Sequence, residues 1–286
     1  MKKILVPIDF SDDSKNALRV AAAIAQKSGA SLEMLHVNLT TIYTAPAPAF
    51  ASIANLAIDN AEYEAEAGKA LERLKHEVFA HASFAGVPVV TRIKDGFFHS
   101  VVNEIAKGDK VDLIVIGTKG ASGLDEFLLG SNTEKIVRTA PCPVLAVPRG
   151  TKEFSPKVVL MPSTLKDEQS SVFNYLASWD KLYNFHLKVL YLNNPAWQAS
   201  DEAAEAQKNT FAKAAGLKNV DTLITNPSIY EDNSILGTAE QNHADLIVMG
   251  THQRKGLSHF FFGSITEDTV NHSHLPVLAV PINGGW

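Results

Sequence analysis

Residues 117–148 read GTKGASGLDEFLLGSNTEKIVRTAPCPVLAVP, and residues 250–281 read GTHQRKGLSHFFFGSITEDTVNHSHLPVLAVP. Aligned without a gap, 16 of the 32 positions are identical, including the closing Pro-Val-Leu-Ala-Val-Pro. A self-similar stretch at a fixed offset marks a repeat architecture. The offset here, 133 residues, is far longer than a solenoid unit and close to a whole domain. The chain therefore reads as a tandem duplication, with one domain over 1–150 and a second over 151–286. Differences between the copies then serve as an internal comparison.

Outward from the repeat, each half alternates short apolar runs with longer amphipathic stretches. In the first half Lys3–Ile8, Leu32–Val37, Val87–Ile93, Leu113–Gly117 and Val144–Val147 read as strands. Ser11–Ser28, Ile58–Ala82, Phe97–Lys107 and Thr133–Thr139 lie in helices. Ser11 is the expected N-cap of the first helix, whose Ala17, Leu18, Ala21, Ala22, Ile24 and Ala25 recur at helical spacing. Leu113-Ile114-Val115-Ile116 lacks polar alternation, as a strand buried on both faces should. In the second half Val158–Met161, Leu187–Leu192, Asp221–Thr225, Leu246–Met249 and Val277–Val280 repeat the strand order, after a linker over Thr151–Pro156. Strands alternating with helices imply βαβ units, so the fold class is α/β: two tandem Rossmann-like domains. Each has a five-stranded parallel sheet core with helices on both faces.

Composition agrees with a globular chain. The 286 residues are 45% hydrophobic, enough for two cores, and the net charge of −5 gives no basic surface for nucleic acid. No apolar run approaches the ~18 residues of a membrane span, and Ile4 to Ile8 is too short for a signal segment. The single cysteine, Cys142, lies between two prolines at a strand entry and reads as a small buried hydrophobe, consistent with a cytoplasmic protein. Thr40–Ala54, rich in Ala, Pro and Thr, is expected to be a loop at the carboxyl end of the second strand, where either a lid or a plain connection fits.

The chemistry sits after the fourth strand. Gly117-x-x-Gly120, nine residues, then Gly130-Ser131 runs from a strand end through a loop into a helix. Glycines let backbone approach a ligand, and a helix start carries roughly half a positive charge on outward-facing N–H groups, a phosphate-binding geometry. Ser131-x-x-Glu134 and Ser264-x-x-Glu267 also match a capping box, which alone explains Gly-Ser but does not call for Gly117 and Gly120.

Gly-x-x-Gly-x9-Gly-Ser, a first strand ending Val6-Pro7-Ile8-Asp9 and the closing Pro-Val-Leu-Ala-Val-Pro together resemble the universal stress protein family. The resemblance covers essentially the whole chain, as a tandem member of the ATP-binding branch. It implies that Pro7, Ile8, Asp9 and Val37 flank the adenosine and that Ile116 packs on it. It further implies that Gly117, Gly120, Gly130, Ser131 and Thr133 hold ribose and phosphates, with Asn132 adding an N–H. Lys119, inside the loop, is either a phosphate partner or a solvated lysine. The implied cofactor is ATP, with Mg2+ held through its phosphates. Both halves end in an apolar run at a sheet edge, and an uncovered edge is an aggregation hazard. Val144–Val147 should thus pair antiparallel with Val277–Val280 about a pseudo-two-fold axis, as dimeric single-domain relatives also imply. A homodimer of the tandem chain stays open; a nucleic-acid or membrane partner is not expected.

The second copy departs from the pattern. Gly250 and Gly263-Ser264 are kept, but Gln253 replaces the middle glycine and Thr164 stands at the position of Asp9. His252, Arg254 and Lys255 form a basic cluster that fits either a weak anion site or a solvated loop. No P-loop, no Gly-x-Gly-x-x-Gly after the first strand, no Gly-x-Ser-x-Gly and no zinc-spaced Cys/His set occurs; His272 and His274 sit near a helix end. The expected activity is that of a nucleotide-dependent stress-response sensor or adaptor, with a slow Mg-dependent ATPase or a ligand-free scaffold as alternatives.

Overall fold

The computed structural model describes residues 1–38, 50–118, 130–163, 165, 169–192, 200–225, 231–251 and 262–282. Its strands are β1 (Lys3–Pro7), β2 (Ser31–Asn38), β3 (Val89–Asp95), β4 (Leu113–Gly117), β5 (Val144–Val147), β6 (Val158–Ser163), β7 (His186–Leu192), β8 (Val220–Thr225), β9 (Leu246–Thr251) and β10 (Val277–Pro281). Its helices are α1 (Asp12–Ser28), α2 (Phe50–Phe79), α3 (Phe98–Gly108), α4 (Ser131–Thr139), α5 (Ser170–Tyr183), α6 (Asp201–Ala215), α7 (Glu231–Gln241) and α8 (Phe262–His272), with a short 3-10 turn at Ala82–Phe84.

All ten strands form one sheet in the order β3-β2-β1-β4-β5-β10-β9-β6-β7-β8. Within each half the neighbours are parallel. The halves meet at β5 and β10, which are antiparallel: Val144 lies opposite Ala279, Leu145 opposite Leu278 and Ala146 opposite Val277. Leu145 and Leu278 are equivalent positions of the repeat, so the pseudo-two-fold axis passes between them. Prolines bound both runs and cannot donate to a ladder, which explains why the pairing is only three residues long.

Local chemistry sets the elements. The Ser11 hydroxyl accepts from Ser14 N at 3.2 Å and caps α1; Gly29, with φ 72°, closes it with its N–H on Ala25 O. The periodic face from Ala17 to Ala25 is at most 1% exposed at the six positions named above. Asp112 Oδ2 accepts from the amides of Lys2 and Lys3, and Asp245 Oδ2 repeats this with Lys157 and Val158. Glu72, Lys75 and Thr91 tie α2 to β3, and Glu205, Lys208 and Thr222 do the same between α6 and β8.

One apolar layer is shared by both halves and lies beneath α1, α2, α5 and α6. Phe154 of the linker is inserted edge-on against Trp179 and Tyr183 of α5, with ring centroids 5.9 and 5.8 Å away. Lys27 of α1 places Nζ 4.6 Å over the Tyr183 ring. The opposite face is split into two layers, under α3 and α4 in the first half and under α7 and α8 in the second. Cys142 belongs to the first of these, and burial pushes its thiol up to about 12.

Three expectations need correction. Helix α2 begins at Phe50 rather than Ile58, so Phe50–Ala54 is helical; positions 40–49 of the expected loop lie outside the described residues. Strand β3 starts and ends two residues later than its apolar run, because Lys94 and Asp95 continue the ladder to β2 on an edge strand open to water. The first capping box is displaced: Gly130, without a side-chain cap bond, is the N-cap of α4 and Ser131 is its first residue. In the second copy Ser264 falls within α8 rather than ahead of it.

Candidate functional site

The order 3-2-1-4-5 reverses direction between β1 and β4, and this crevice beyond the carboxyl ends is where open α/β sheets bind ligands. The structure brings most of the expected residues there. Pro7, which ends β1, and Ile8, the next residue, are both buried; Val37, half-buried, lies near the end of β2; Ile116 and Gly117 end β4. Asp9 is exposed just beyond β1, and Ser131 and Asn132 are exposed at the start of α4. Lys119, Gly120 and the rest of 119–129 lie outside the described residues, although Gly130 N donates to Thr118 O at 2.9 Å and closes the loop.

The first turn of α4 is arranged around two amides. Thr133 N and Glu134 N both donate to Gly130 O, at 2.8 and 3.2 Å. The N–H groups of Ser131 and Asn132 are left without a partner among the described residues, and they carry the positive end of the helix. Thr133 turns the other way. It is 4% exposed, and its hydroxyl donates to Gly117 O at 2.8 Å, fixing the helix start to the end of β4.

Gly117 has a structural reason of its own. A Cβ there would lie 2.8 Å from both the carbonyl carbon and oxygen of Asp13, and 3.1 Å from its Cβ. The first turn of α1 thus sits directly on the end of β4. Asp9 joins the same construction: its Oδ1 accepts from Ser11 N at 3.0 Å and from Ser11 Oγ at 2.5 Å, while Ser11 caps α1. Phe10, between them, has φ 65°, a left-handed conformation uncommon for an aromatic residue.

Sequence reasoning passed over His36. It is 6% exposed, its Nδ1 lies 2.7 Å from Ile8 O, and its ring is 4.8 Å from that of Phe10. The signal was present in Met34-Leu35-His36-Val37, where a polar ring interrupts an apolar run.

The second crevice, between β6 and β9, keeps the scaffold and changes the lining. Ser163 replaces Ile8; it is fully buried, donates to Gln169 Oε1 and accepts from Leu165 N at 2.9 Å. Leu165, the counterpart of Phe10, keeps the left-handed backbone with φ 54°. A Cβ on Gly250 would meet Ile282 Cδ1 at 2.8 Å, a side-chain tip rather than backbone. Thr164, His252, Gln253, Arg254 and Lys255 lie outside the described residues. His272 Nδ1 is 2.9 Å from Asp268 O within its own helix.

A doubly wound parallel sheet, duplicated in one chain and carrying a helix start at each switch point, defines the class of protein. The chain belongs to the universal stress protein family, whose model matches residues 1–148 and 183–281. It is 32% identical over 152 residues to Universal stress protein MJ0531 of Methanocaldococcus jannaschii, covering 53% of this chain and 85% of that protein. Universal stress protein Slr1230 of Synechocystis is 24% identical over 295 residues, covering 97% of this chain and 99% of that one. Among solved structures, a universal stress protein from Archaeoglobus fulgidus shares the fold with a TM-score of 0.69 at 19% identity, covering 98% of each chain. Among the described residues no helix is long and apolar enough to cross a membrane.

Proposed function

We propose that this universal stress protein binds an adenine nucleotide, ATP with Mg2+ on its phosphates, in the first domain (1–150) and acts as a nucleotide-dependent sensor or adaptor. The observation that carries this reading is the start of α4 at the switch point of the sheet, where Ser131 and Asn132 are exposed and their amides have no partner among the described residues. An anion is what the free N–H groups of a helix start accommodate. Ser131 adds a hydroxyl, Thr133 holds Gly117 in place, and Pro7, Asp9, Val37 and Ile116 line the side toward β1 and β2 where the adenosine would lie. Lys119 and Gly120 complete the loop in sequence. When bound, the ion would neutralise phosphate charge; this chain's own part is to orient the nucleotide.

The second domain (151–286) keeps the scaffold with a different lining, and we read it as not binding ATP. Its switch point has a buried Ser163 where the first has Ile8, and it has no carboxylate at the position of Asp9.

Gly130→Val tests the site. Gly130 has φ −58° and ψ 130°, which any residue adopts, so the variant keeps its fold while its branched side chain intrudes at the phosphates. ATP at about 100 times its Kd stabilises a protein by about 2.7 kcal/mol. That thermal shift should vanish in Gly130→Val; an unchanged shift would move the site elsewhere.

A further inference from the structure

We propose that Lys3, Glu33, Arg92 and Asp109 form an acid-sensitive latch on the outer strand of the first domain, so that β3 loosens in acid ahead of its counterpart β8. The four side chains close a ring of alternating charge. Lys3 Nζ lies 2.7 Å from Glu33 Oε2, and Arg92 Nε lies 2.7 Å from Glu33 Oε1. Both cations also donate to Asp109 Oδ2, Lys3 at 2.8 Å and Arg92 at 2.9 Å. The members come from β1, β2, β3 and the end of α3. Strand β3 is at the edge of the sheet, with β2 as its ladder neighbour, and it leads directly into α3. The ring therefore fastens both parts of the β3–α3 unit to β1 and β2. Beside it, Asp112 is taken up by the amides of Lys2 and Lys3, and β4 contributes the apolar run Leu113–Ile116.

Glu33 is fully buried, and the other three are partly exposed. A buried charge persists while it is paired, and losing one partner leaves the rest uncompensated. The ring is neutral only with both carboxylates ionised. A proton on Asp109 leaves Lys3 and Arg92 with Glu33 alone, one positive charge in excess. The hydrogen bond from Lys3, with Arg92 beside it, holds the Asp109 carboxyl below its ordinary value. The latch is thus complete above the ordinary carboxylate range and is lost as pH falls below it. Burial pulls Lys3 down, but Asp109 and Glu33 outweigh it and hold the amine above its ordinary value. Its share is present at lower pH and is lost only above the ordinary lysine range.

The second copy has the same sheet without the latch. Strand register and the repeat place Val158, Lys188, Leu223 and Asn242 at the four positions. Lys188 Nζ donates to Asn242 Oδ1 at 2.9 Å, so the tie survives there as one hydrogen bond with no carboxylate. The other acidic ties are matched, Glu72 with Thr91 on β3 and Glu205 with Thr222 on β8. Strand β8 adds the pair His186–Asp221, which is exposed and screened by water. The difference between the outer strands in acid therefore rests on the ring.

Amide hydrogen exchange of the full chain tests this, expressed as protection so that the intrinsic pH dependence cancels. Between about pH 7 and about pH 3, a span that includes the ordinary carboxylate values, β3 should lose at least about tenfold more protection than β8. The carboxyl 13C resonance of Asp109 should titrate below the ordinary aspartate value, in step with the loss at β3. The variant Lys3→Val/Glu33→Lys/Arg92→Leu/Asp109→Asn installs the residues of the second domain, and its two outer strands should stay within about threefold of each other over the same span. Asp109→Asn alone is the milder change; β3 should be less protected already at about pH 7 and should lose less on acidification. Equal loss at β3 and β8 in the wild type, or an Asp109 midpoint at the ordinary value, would overturn the proposal. So would selective acid loss at β3 that persists undiminished in either variant. None of these readouts involves nucleotide, so the latch stands or falls apart from the nucleotide reading.

Discussion

Replacing Gly117 and Gly250 by alanine, one at a time, measures how the two copies support the ends of their central strands. At Gly117 the new methyl would lie 2.8 Å from two backbone atoms of Asp13, on the first turn of a helix capped by Ser11. Backbone there cannot step aside without pulling α1 off β4. At Gly250 the nearest atom, also at 2.8 Å, is the terminal carbon of Ile282, which can rotate away. Overpacking costs about 1–3 kcal/mol, so we place Gly117→Ala at about 3 kcal/mol and Gly250→Ala at about 1 kcal/mol. In a chain of this size about 1 kcal/mol moves Tm by ~2 °C, so the two variants should fall by ~6 and ~2 °C in calorimetry without ligand. Displacing α1 also disturbs Asp9, so Gly117→Ala should weaken ATP binding and Gly250→Ala should not. Equal Tm losses in the two variants would refute the reasoning, because they would mean that backbone and side-chain neighbours yield alike.

Leu145→Lys puts a charge at a fully buried site opposite Leu278; urea titration should show a loss above about 3 kcal/mol, whereas Leu145→Met should cost under about 1.5 kcal/mol. The hydrogen bond from Lys3 and the nearby Arg92 hold the Asp109 carboxyl below its ordinary value. Its folded form therefore binds protons less readily than the unfolded form, and its contribution is complete above the ordinary carboxylate range and lost as pH falls below it. Asp109→Asn should flatten the acid side of a stability–pH curve below about pH 4, and an identical curve would remove Asp109 from that network. Cys142, with its thiol pushed up to about 12, should resist iodoacetamide at pH 8 in the native chain and react only after denaturation; rapid native labelling would contradict its burial.

Much of the architecture is legible in the residues because local and global signals agree. Ser11 caps where a serine before an alanine-rich helix should, and proline-bounded apolar runs at both sheet edges leave few arrangements besides pairing with each other. The misreading at Ser131 has a physical cause. Ser-x-x-Glu is a local pattern, whereas the cap is decided by tertiary contact: Thr133 bonds back to Gly117, which draws the helix one residue further and leaves Gly130 at its border. The reason for Gly117 is likewise invisible in a motif, since the sequence does not say that α1 rests on it. His36 could be seen as a polar residue in an apolar strand, but its partner, a carbonyl 28 residues away, is set by sheet register.

In a dimer of identical chains every substitution on the two-fold axis appears twice and meets its own copy. Here Leu145 faces Leu278, which a separate codon specifies, so a change on one side meets an unaltered residue and can later be matched by a different one. Covalent linkage thus frees the halves from having to evolve in step. A single gene can keep the seam that joins them while one crevice loses its carboxylate and the other keeps it.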